Sequence, residues 1–164
     1  MIKQPDFVTK RLKLLPISHR HAASLWPILS HPMVRQYNDI PEFVDKTEFR
    51  DYLQTDIELW YQGHGGRWVI DFQGLIIGSC GLYPLNDECS HLQLSFELSP
   101  DYWRQGLMYE ACSRLLEVSF SELNIPNRPI FARCKAQNVQ SITLLEKLGF
   151  KYATQTEQYH EYTK

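Results

Sequence analysis

The chain has 164 residues, 43% of them hydrophobic and 22% charged, with a formal net charge of −2 and an isoelectric point near 6.3. That length suits one domain with a sizeable core. The charge excludes broad nucleic-acid or anionic-membrane binding through the whole surface. The cysteines, Cys80, Cys89, Cys112 and Cys134, show neither a C-x-x-C pair nor Cys/His metal spacing. They are therefore expected to be reduced, mostly buried thiols, and no metal site is expected. The start MIKQPDFVTK lacks the apolar segment of a leader, and no apolar run approaches the roughly 18 residues of a membrane span. A cytoplasmic protein with no membrane partner is expected.

In chain order, Phe7-Val8 and Arg11–Leu15 predict an opening strand ended by Pro16. Ser18 suits the N-cap of a helix from about His19 to Leu29, with Ala22, Leu25, Trp26 and Leu29 on its apolar face. Pro27 predicts a kink or an early end, and His31-Pro32 closes the element. After a loop with Tyr37-Asn38 and Pro41, Asp45 or Thr47 caps a second helix. Its buried stripe is Phe49, Leu53, Ile57 and Trp60, and Gly63 and Gly65-Gly66 end it. Arg67–Phe72 and Leu75–Leu82, joined at Gln73-Gly74, predict a β-hairpin, and Leu92–Leu98 the next strand of an antiparallel meander.

A helix from Leu107 to about Leu123 is ended by Asn124 and Pro126. Ile130–Ala136 predicts a strand, and a helix runs from about Val139 to Leu148, with Gly149 suited to the left-handed residue after its end. Residues 151–163 alternate loosely, as one or two closing strands. Helices between strands on both sides of a meander indicate an α/β or α+β fold: a single mixed, mostly antiparallel sheet flanked by helices. The strand–helix–strand unit at 92–136 is expected to be a right-handed parallel crossover.

The stretch Ser95–Ala111, SFELSPDYWRQGLMYEA, passes from a strand through a Ser-Pro turn and a loop with Gly106 into an amphipathic helix. Leu107, Met108, Ala111, Cys112, Leu115, Leu116, Ser119 and Phe120 mark that helix at i, i+3, i+4, i+7 spacing. A loop rising into a helix N-terminus points free N–H groups and a positive dipole end at one spot, which suits a phosphate. Glycine there lets a ligand approach the backbone.

Trp103-Arg104-Gln105-Gly106-Leu107-Met108 resembles the pyrophosphate loop of the GNAT acyl-CoA N-acetyltransferases. Tyr102-Trp103, Gly106 and Glu110-Ala111 are similar to the Y-W-x-x-G-x-x-x-E-A form of the ribosomal-protein N-terminal acetyltransferase (RimJ/RimL-like) branch. Asn138-Val139-Gln140-Ser141 with Leu144-Leu145-Glu146-Lys147-Leu148-Gly149-Phe150 resembles the same branch's N-x-x-S-x-x-x-L-E-K-L-G-F segment. Thr9-Lys10-Arg11-Leu12, Leu14 and Pro16 resemble its opening strand. The matches fall in the right order and cover most of the chain.

The resemblance implies the GNAT fold, in which two central strands splay apart around acetyl-CoA, with an amine as acetyl acceptor. It places the pyrophosphate on the backbone N–H groups of Arg104–Met108. Arg104 adds a charge that pairs with phosphate or stands solvated on the surface. Arg104 departs from the branch's usual glycine, and Met108 from its glycine or alanine. Phe96, Glu97 and Leu98 would pair with the pantetheine arm like an added strand and offer N–H groups to the oxyanion, or form a plain central strand. Asn138 would bond the cofactor, or only cap its helix. Ser141, at i+3 on the same side, would hydrogen-bond the departing thiolate, or face solvent.

Many relatives carry a glutamate near Gln93, where an amide cannot accept a proton usefully. Glu97 is the nearest substitute base, unless it is salt-bridged or binds substrate and a water chain takes the proton. Tyr37, Asn38 and Tyr83 are candidate acceptor contacts, and Cys134, on the strand leading to Asn138, either lines the site or, as the favoured reading, is a buried thiol. Trp26, Trp60, Trp103 and Tyr159 suit core positions as well as ligand walls. The expected activity is acetyl transfer to a protein N-terminal amine or a small-molecule amine, by direct attack, since no nucleophile–base pair is evident. The alternative is a non-catalytic acyl-CoA-binding sensor on the same fold. Oligomeric state, a homodimer included, is not legible.

Overall fold

A computed structural model describes residues 5–62, 64–84, 90–119, 121–122 and 127–164. The opening segment folds back on itself instead of running as one strand. β1 (Phe7–Val8) pairs antiparallel with β2 (Leu12–Pro16), Phe7 opposite Leu14. Thr9 sets the reversal: its Oγ1 accepts the Leu12 N–H at 2.9 Å, satisfying a turn amide.

The helix expected from His19 begins as a 3₁₀ turn (His19–His21) and becomes α1 at Ala22–Leu29. Pro27 lies on the exposed side, and the helix continues past it to Leu29. His31 opens an element instead of closing one. Its Nδ1 accepts the Met33 N–H at 3.2 Å, and Pro32 takes the first position of the one-turn α2 (Pro32–Arg35). Of the two candidate caps for α3 (Lys46–Tyr61), Asp45 is used, its Oδ1 accepting from the N–H groups of Thr47 and Glu48 at 2.8 and 2.9 Å. The buried face of α3 carries Phe49, Leu53 and Trp60, and among them Asp56. Gly63 lies outside the described residues.

β3 (Gly66–Phe72) and β4 (Leu75–Pro84) form the expected hairpin, extended by one residue at its start and two at its end. Gln73 and Gly74 both have positive φ, 54° and 86°, as a two-residue hairpin turn of matching twist requires. β5 (Leu92–Leu98) completes an antiparallel meander, β2-β3-β4-β5. α4 (Leu107–Ser119) then leads to β6 (Ile130–Lys135), which lies parallel to β5. Of the longer α4 expected from sequence, Ser121 and Glu122 lie in a turn, and Phe120, Leu123, Asn124 and Pro126 fall outside the described residues. α5 (Val139–Lys147) ends at Gly149, whose φ of 88° is the left-handed conformation expected there. β7 (Lys151–Gln155) and β8 (Tyr159–Thr163) close the chain as a hairpin, and the eight strands run β1-β2-β3-β4-β5-β6-β8-β7.

Both faces of the central sheet are covered, which is why β3 is buried at consecutive positions, Gly66 to Ile70. Trp68 and Ile70 pack with Leu115 of α4 and Leu145 of α5, while Val69 between them packs with Leu25 of α1 and Phe49 and Leu53 of α3. Among the described residues no helix is long and apolar enough to cross a membrane.

Candidate active site

β5 and β6 stay paired for only two residues. Leu92 faces Ile130 and Gln93 faces Phe131; beyond them β5 keeps its pairing with β4, while β6 pairs with β8. The strands therefore part toward their C-terminal ends. From Leu94 to Leu98, β5 has no strand on its β6 side among the described residues. A cleft of about 300 Å³ fills this region. Phe96, Glu97, Asn138 and Ser141, residues named from sequence as cofactor contacts, all line it, and Gln93 and Cys134 do too. The predicted acceptor contacts Tyr37, Asn38 and Tyr83 line the same cleft. Leu98 does not line it; its carbonyl accepts the Trp103 indole N–H at 2.8 Å, tying the loop to the end of β5.

That loop, Trp103–Met108, divides its side chains from its backbone. Leu107 and Met108 bury their side chains in the core, 1% and 7% exposed, so only their backbone N–H groups are left to serve a ligand. The departure at Met108 is accounted for by this: the residue packs inward. Arg104 is exposed and holds φ at 60°, a left-handed conformation that glycine adopts freely, which explains why glycine suits the position. Gly106 has φ of 73°, and a Cβ added there would meet only Arg11 Nη2 at 3.5 Å, an ordinary contact. The visible constraint at Gly106 is therefore its left-handed backbone.

A carboxylate anchors the loop. Glu110, in the first turn of α4, accepts from Thr9 Oγ1 at 2.6 Å and from Arg11 N and Nε, both at 2.7 Å, and Arg11 Nη1 donates to the Gln105 carbonyl at 2.9 Å. The Thr9–Leu12 segment and the Gly106…Glu110 segment, separate matches in sequence, are thus one clamp. Partial burial works to raise the Glu110 carboxyl, but the hydrogen bonds from Thr9 and Arg11 and the guanidinium charge outweigh it and hold it below its ordinary value.

On the other wall, Asn138 Oδ1 accepts the Ser141 N–H at 3.2 Å as the N-cap of α5, and its Nδ2 donates to Ser141 Oγ at 2.8 Å. Cys134 is free and buried, and burial pushes its thiol up to about 11.

Beneath the acceptor side lies a group of buried charges, of which the sequence named Glu97 for the site but neither Arg67 nor Asp56. Arg67, Asp56 and Glu97 are 4%, 6% and 8% exposed. Arg67 Nε lies 2.8 Å from Asp56 Oδ2 and donates to the Tyr83 hydroxyl at 2.7 Å, and Nη2 donates to the Tyr52 hydroxyl at 3.0 Å. Nη1 lies 3.8 Å from Glu97 Oε2, which accepts from Ser79 Oγ at 2.9 Å. Glu97 is thus held by Ser79 and Arg67 at the wall of the cleft. Burial opposes the Arg67 charge, but Tyr83, Glu97, Asp56 and Tyr52 outweigh it and hold the guanidinium protonated, well above an ordinary arginine. Burial raises the Asp56 carboxyl; Arg67 pulls it back, Glu97 pushes it further up, and a hydrogen bond from Tyr83 lowers it. Two signals for this group were present in sequence: Asp56 sits on the apolar stripe of α3, seven residues after Phe49, and Arg67 alternates onto the buried face of Val69.

At the mouth, Arg133 Nη2 bonds Asp39 Oδ2 at 3.1 Å, and the guanidinium carbon lies 4.7 Å from the centre of the Tyr159 ring, whose hydroxyl donates to Asp39. Lys135 Nζ donates to the Gln36 carbonyl at 2.9 Å. These contacts draw the loop carrying Tyr37 and Asn38 toward β6 and β8.

The family profile described as Acetyltransferase (GNAT) domain matches residues 11–151. The uncharacterized N-acetyltransferase p20 of Bacillus licheniformis is 30% identical over 145 residues, 87% of this chain and 80% of that protein. Among solved structures, RimL, a ribosomal L7/L12 alpha-N-protein acetyltransferase in complex with coenzyme A, superposes with a TM-score of 0.85 at 18% identity, covering 96% of each chain. The ribosomal-protein-S5-alanine acetyltransferase of Vibrio fischeri does so with a TM-score of 0.85 at 16% identity, covering 98% of this chain and 96% of its own. At those identities the likeness is one of fold.

Proposed function

The chain belongs to the GNAT acetyltransferase family and is an acyltransferase; from that premise we propose that it transfers acetyl from acetyl-CoA to a primary amine by direct attack in a ternary complex. The acceptor is a protein N-terminus or a small-molecule amine. The observation that carries the reading is the parting of β5 from β6, which leaves β5 backbone groups open beside a cleft with Ser141 on one wall and Glu97 on the other.

The residues present fit the donor. The N–H groups at the start of α4, with the left-handed Arg104 and Gly106, form a nest for a pyrophosphate, and the Glu110 clamp holds that nest in place. The open edge of β5 at Phe96–Leu98 would take the pantetheine arm as a strand, and N–H groups there would serve the oxyanion. Ser141 would hydrogen-bond the departing sulfur. Glu97 would set negative charge beside the incoming ammonium. Tyr37, Asn38 and Tyr83 would contact the acceptor.

The test is thiol release from acetyl-CoA in the presence of N-terminal peptides, polyamines and small aromatic amines, with initial rates over both substrate concentrations. Amine-dependent release with intersecting double-reciprocal lines is expected. Parallel lines would contradict direct attack. Acetyl-CoA binding without release for any amine would favour the sensor.

A further inference from the structure

We propose that Asp56 is the sink for the acceptor's proton, taking it through the Tyr83 hydroxyl while Arg67 holds the two in register. This rests on the acetyl-transfer reading and names where its proton goes.

The Tyr83 side chain lines the cleft, as does that of Asp56, and Arg67 lies against both. The Tyr83 hydroxyl accepts from Arg67 Nε at 2.7 Å, and the same nitrogen lies 2.8 Å from Asp56 Oδ2, so one guanidinium atom bridges the phenol and the carboxylate. A phenol so placed has one lone pair taken by the guanidinium, a second left for an incoming N–H, and a proton free to turn toward the neighbouring Asp56. Asp56 is 6% exposed, and its Oδ2, though 2.8 Å from Arg67 Nε, accepts no aligned hydrogen bond. It is a buried acceptor with capacity to spare, at the floor of a cleft.

Charge balance points the same way. Asp56 and Glu97 share one guanidinium, so one buried negative charge is uncompensated, an arrangement costly for stability alone and common where protons move. The groups facing Asp56 are Tyr52 on its own helix, Arg67 on β3, Tyr83 on β4 and Glu97 on β5. Burial and the Glu97 charge raise its proton affinity against the pull of Arg67. Glu97, engaged by Ser79 and Arg67, assists as the like charge that makes Asp56 more basic.

The step balances. The ammonium passes one proton to the Tyr83 oxygen as Tyr83 passes its own to Asp56, giving a neutral amine, a neutral phenol and a neutral carboxylic acid. The amine lone pair forms the N–C bond; the C–S bond breaks with its electron pair on sulfur. A second proton from nitrogen goes to the sulfur beside Ser141, the third stays on the amide, and Asp56 later returns its proton to water.

The test compares pH profiles of kcat/KM for wild type, Asp56→Asn and Tyr83→Phe with an amine the wild type acetylates, alongside acetyl-CoA affinity. Wild type should rise through an acid limb to a plateau. Asp56→Asn and Tyr83→Phe should each lose about 100-fold or more at neutral pH and keep acetyl-CoA affinity. The limb should give way to a continued rise toward the amine's own pKa. A folded Asp56→Asn enzyme with the wild-type rate and profile overturns the proposal. If Asp56→Asn does not fold, Tyr83→Phe, which keeps the ring under Arg67, decides alone, and a wild-type profile there overturns it equally. A wild type that binds acetyl-CoA and acetylates no amine removes the transfer reading itself, and this with it.

Discussion

The side chain of Asn138 holds Ser141 at two points, accepting its N–H at 3.2 Å and donating to its Oγ at 2.8 Å. Capping and site organisation, alternatives in sequence, are one interaction here. Because Oγ accepts a hydrogen bond from Asn138, its own hydrogen is free to turn into the cleft and meet a departing thiolate. Ser141→Ala is expected to lower kcat by roughly 10-fold, below the 10²–10⁴ of full acid–base participation, with acetyl-CoA affinity nearly unchanged. Asn138→Ala should share that loss and also remove a cap worth about 1 kcal/mol, lowering Tm by about 2–4 °C. Steady-state kinetics and thermal unfolding check both; an unchanged kcat in Ser141→Ala would place the hydroxyl away from the reacting sulfur.

The loop before α4 gives a paired prediction. Gly106→Val forces a β-branched residue to φ of 73° and should both lower Tm and raise the acetyl-CoA Kd about tenfold or more, by disordering the nest. Arg104→Gly relieves a left-handed arginine, so Tm should hold or rise, while loss of a phosphate-pairing charge should raise Kd by roughly 3–10-fold. Calorimetric titration separates the effects. A Kd unchanged by Arg104→Gly would leave the guanidinium as a solvated surface group.

The Glu110 clamp predicts a pH-dependent stability. The carboxyl is held lower in the folded chain than in the unfolded one, so its contribution is present above the unfolded value and lost as pH falls through the folded one. Glu110→Gln should cost about 1–2 kcal/mol at pH 7, discounted for the half-exposed Arg11 partner. The gap in stability between wild type and variant should narrow once pH drops below about 4.3, the ordinary glutamate value. Urea unfolding at pH 7 and at pH 4 measures it; a gap constant with pH would mean that the charge on Glu110 is irrelevant to the clamp.

Cys134, with its thiol near 11, should be about 0.1% thiolate at pH 8, against roughly a quarter for an ordinary cysteine. Alkylation by iodoacetamide, followed by peptide mass spectrometry, should be about 100-fold or more slower than for an exposed thiol. Rapid labelling in the folded protein would contradict the buried placement.

The order of helices and strands was legible because each core-facing element carries its period openly, as in Phe49, Leu53 and Trp60 on α3 or the Gln73-Gly74 turn. The division of the opening segment into β1 and β2 was not, because the turn depends on a Thr9 side chain acting locally and on a Glu110 contact across 101 residues. Asn138, Ser141 and the loop at Gly106 could be named from motifs, whose spacing is preserved in the chain itself. The buried group around Arg67 could not, since Tyr52, Asp56, Arg67, Tyr83 and Glu97 come from four elements that only the sheet brings together.

The central claim, a cleft between parted β5 and β6 that holds acetyl-CoA, is tested most directly by thermal unfolding with and without that ligand. At about 100 times Kd, binding adds roughly 2.7 kcal/mol, on the order of 5–10 °C in Tm for a chain of this size. A rise of that size with acetyl-CoA, absent with adenosine alone, is the result expected. An unchanged Tm at millimolar acetyl-CoA would contradict it.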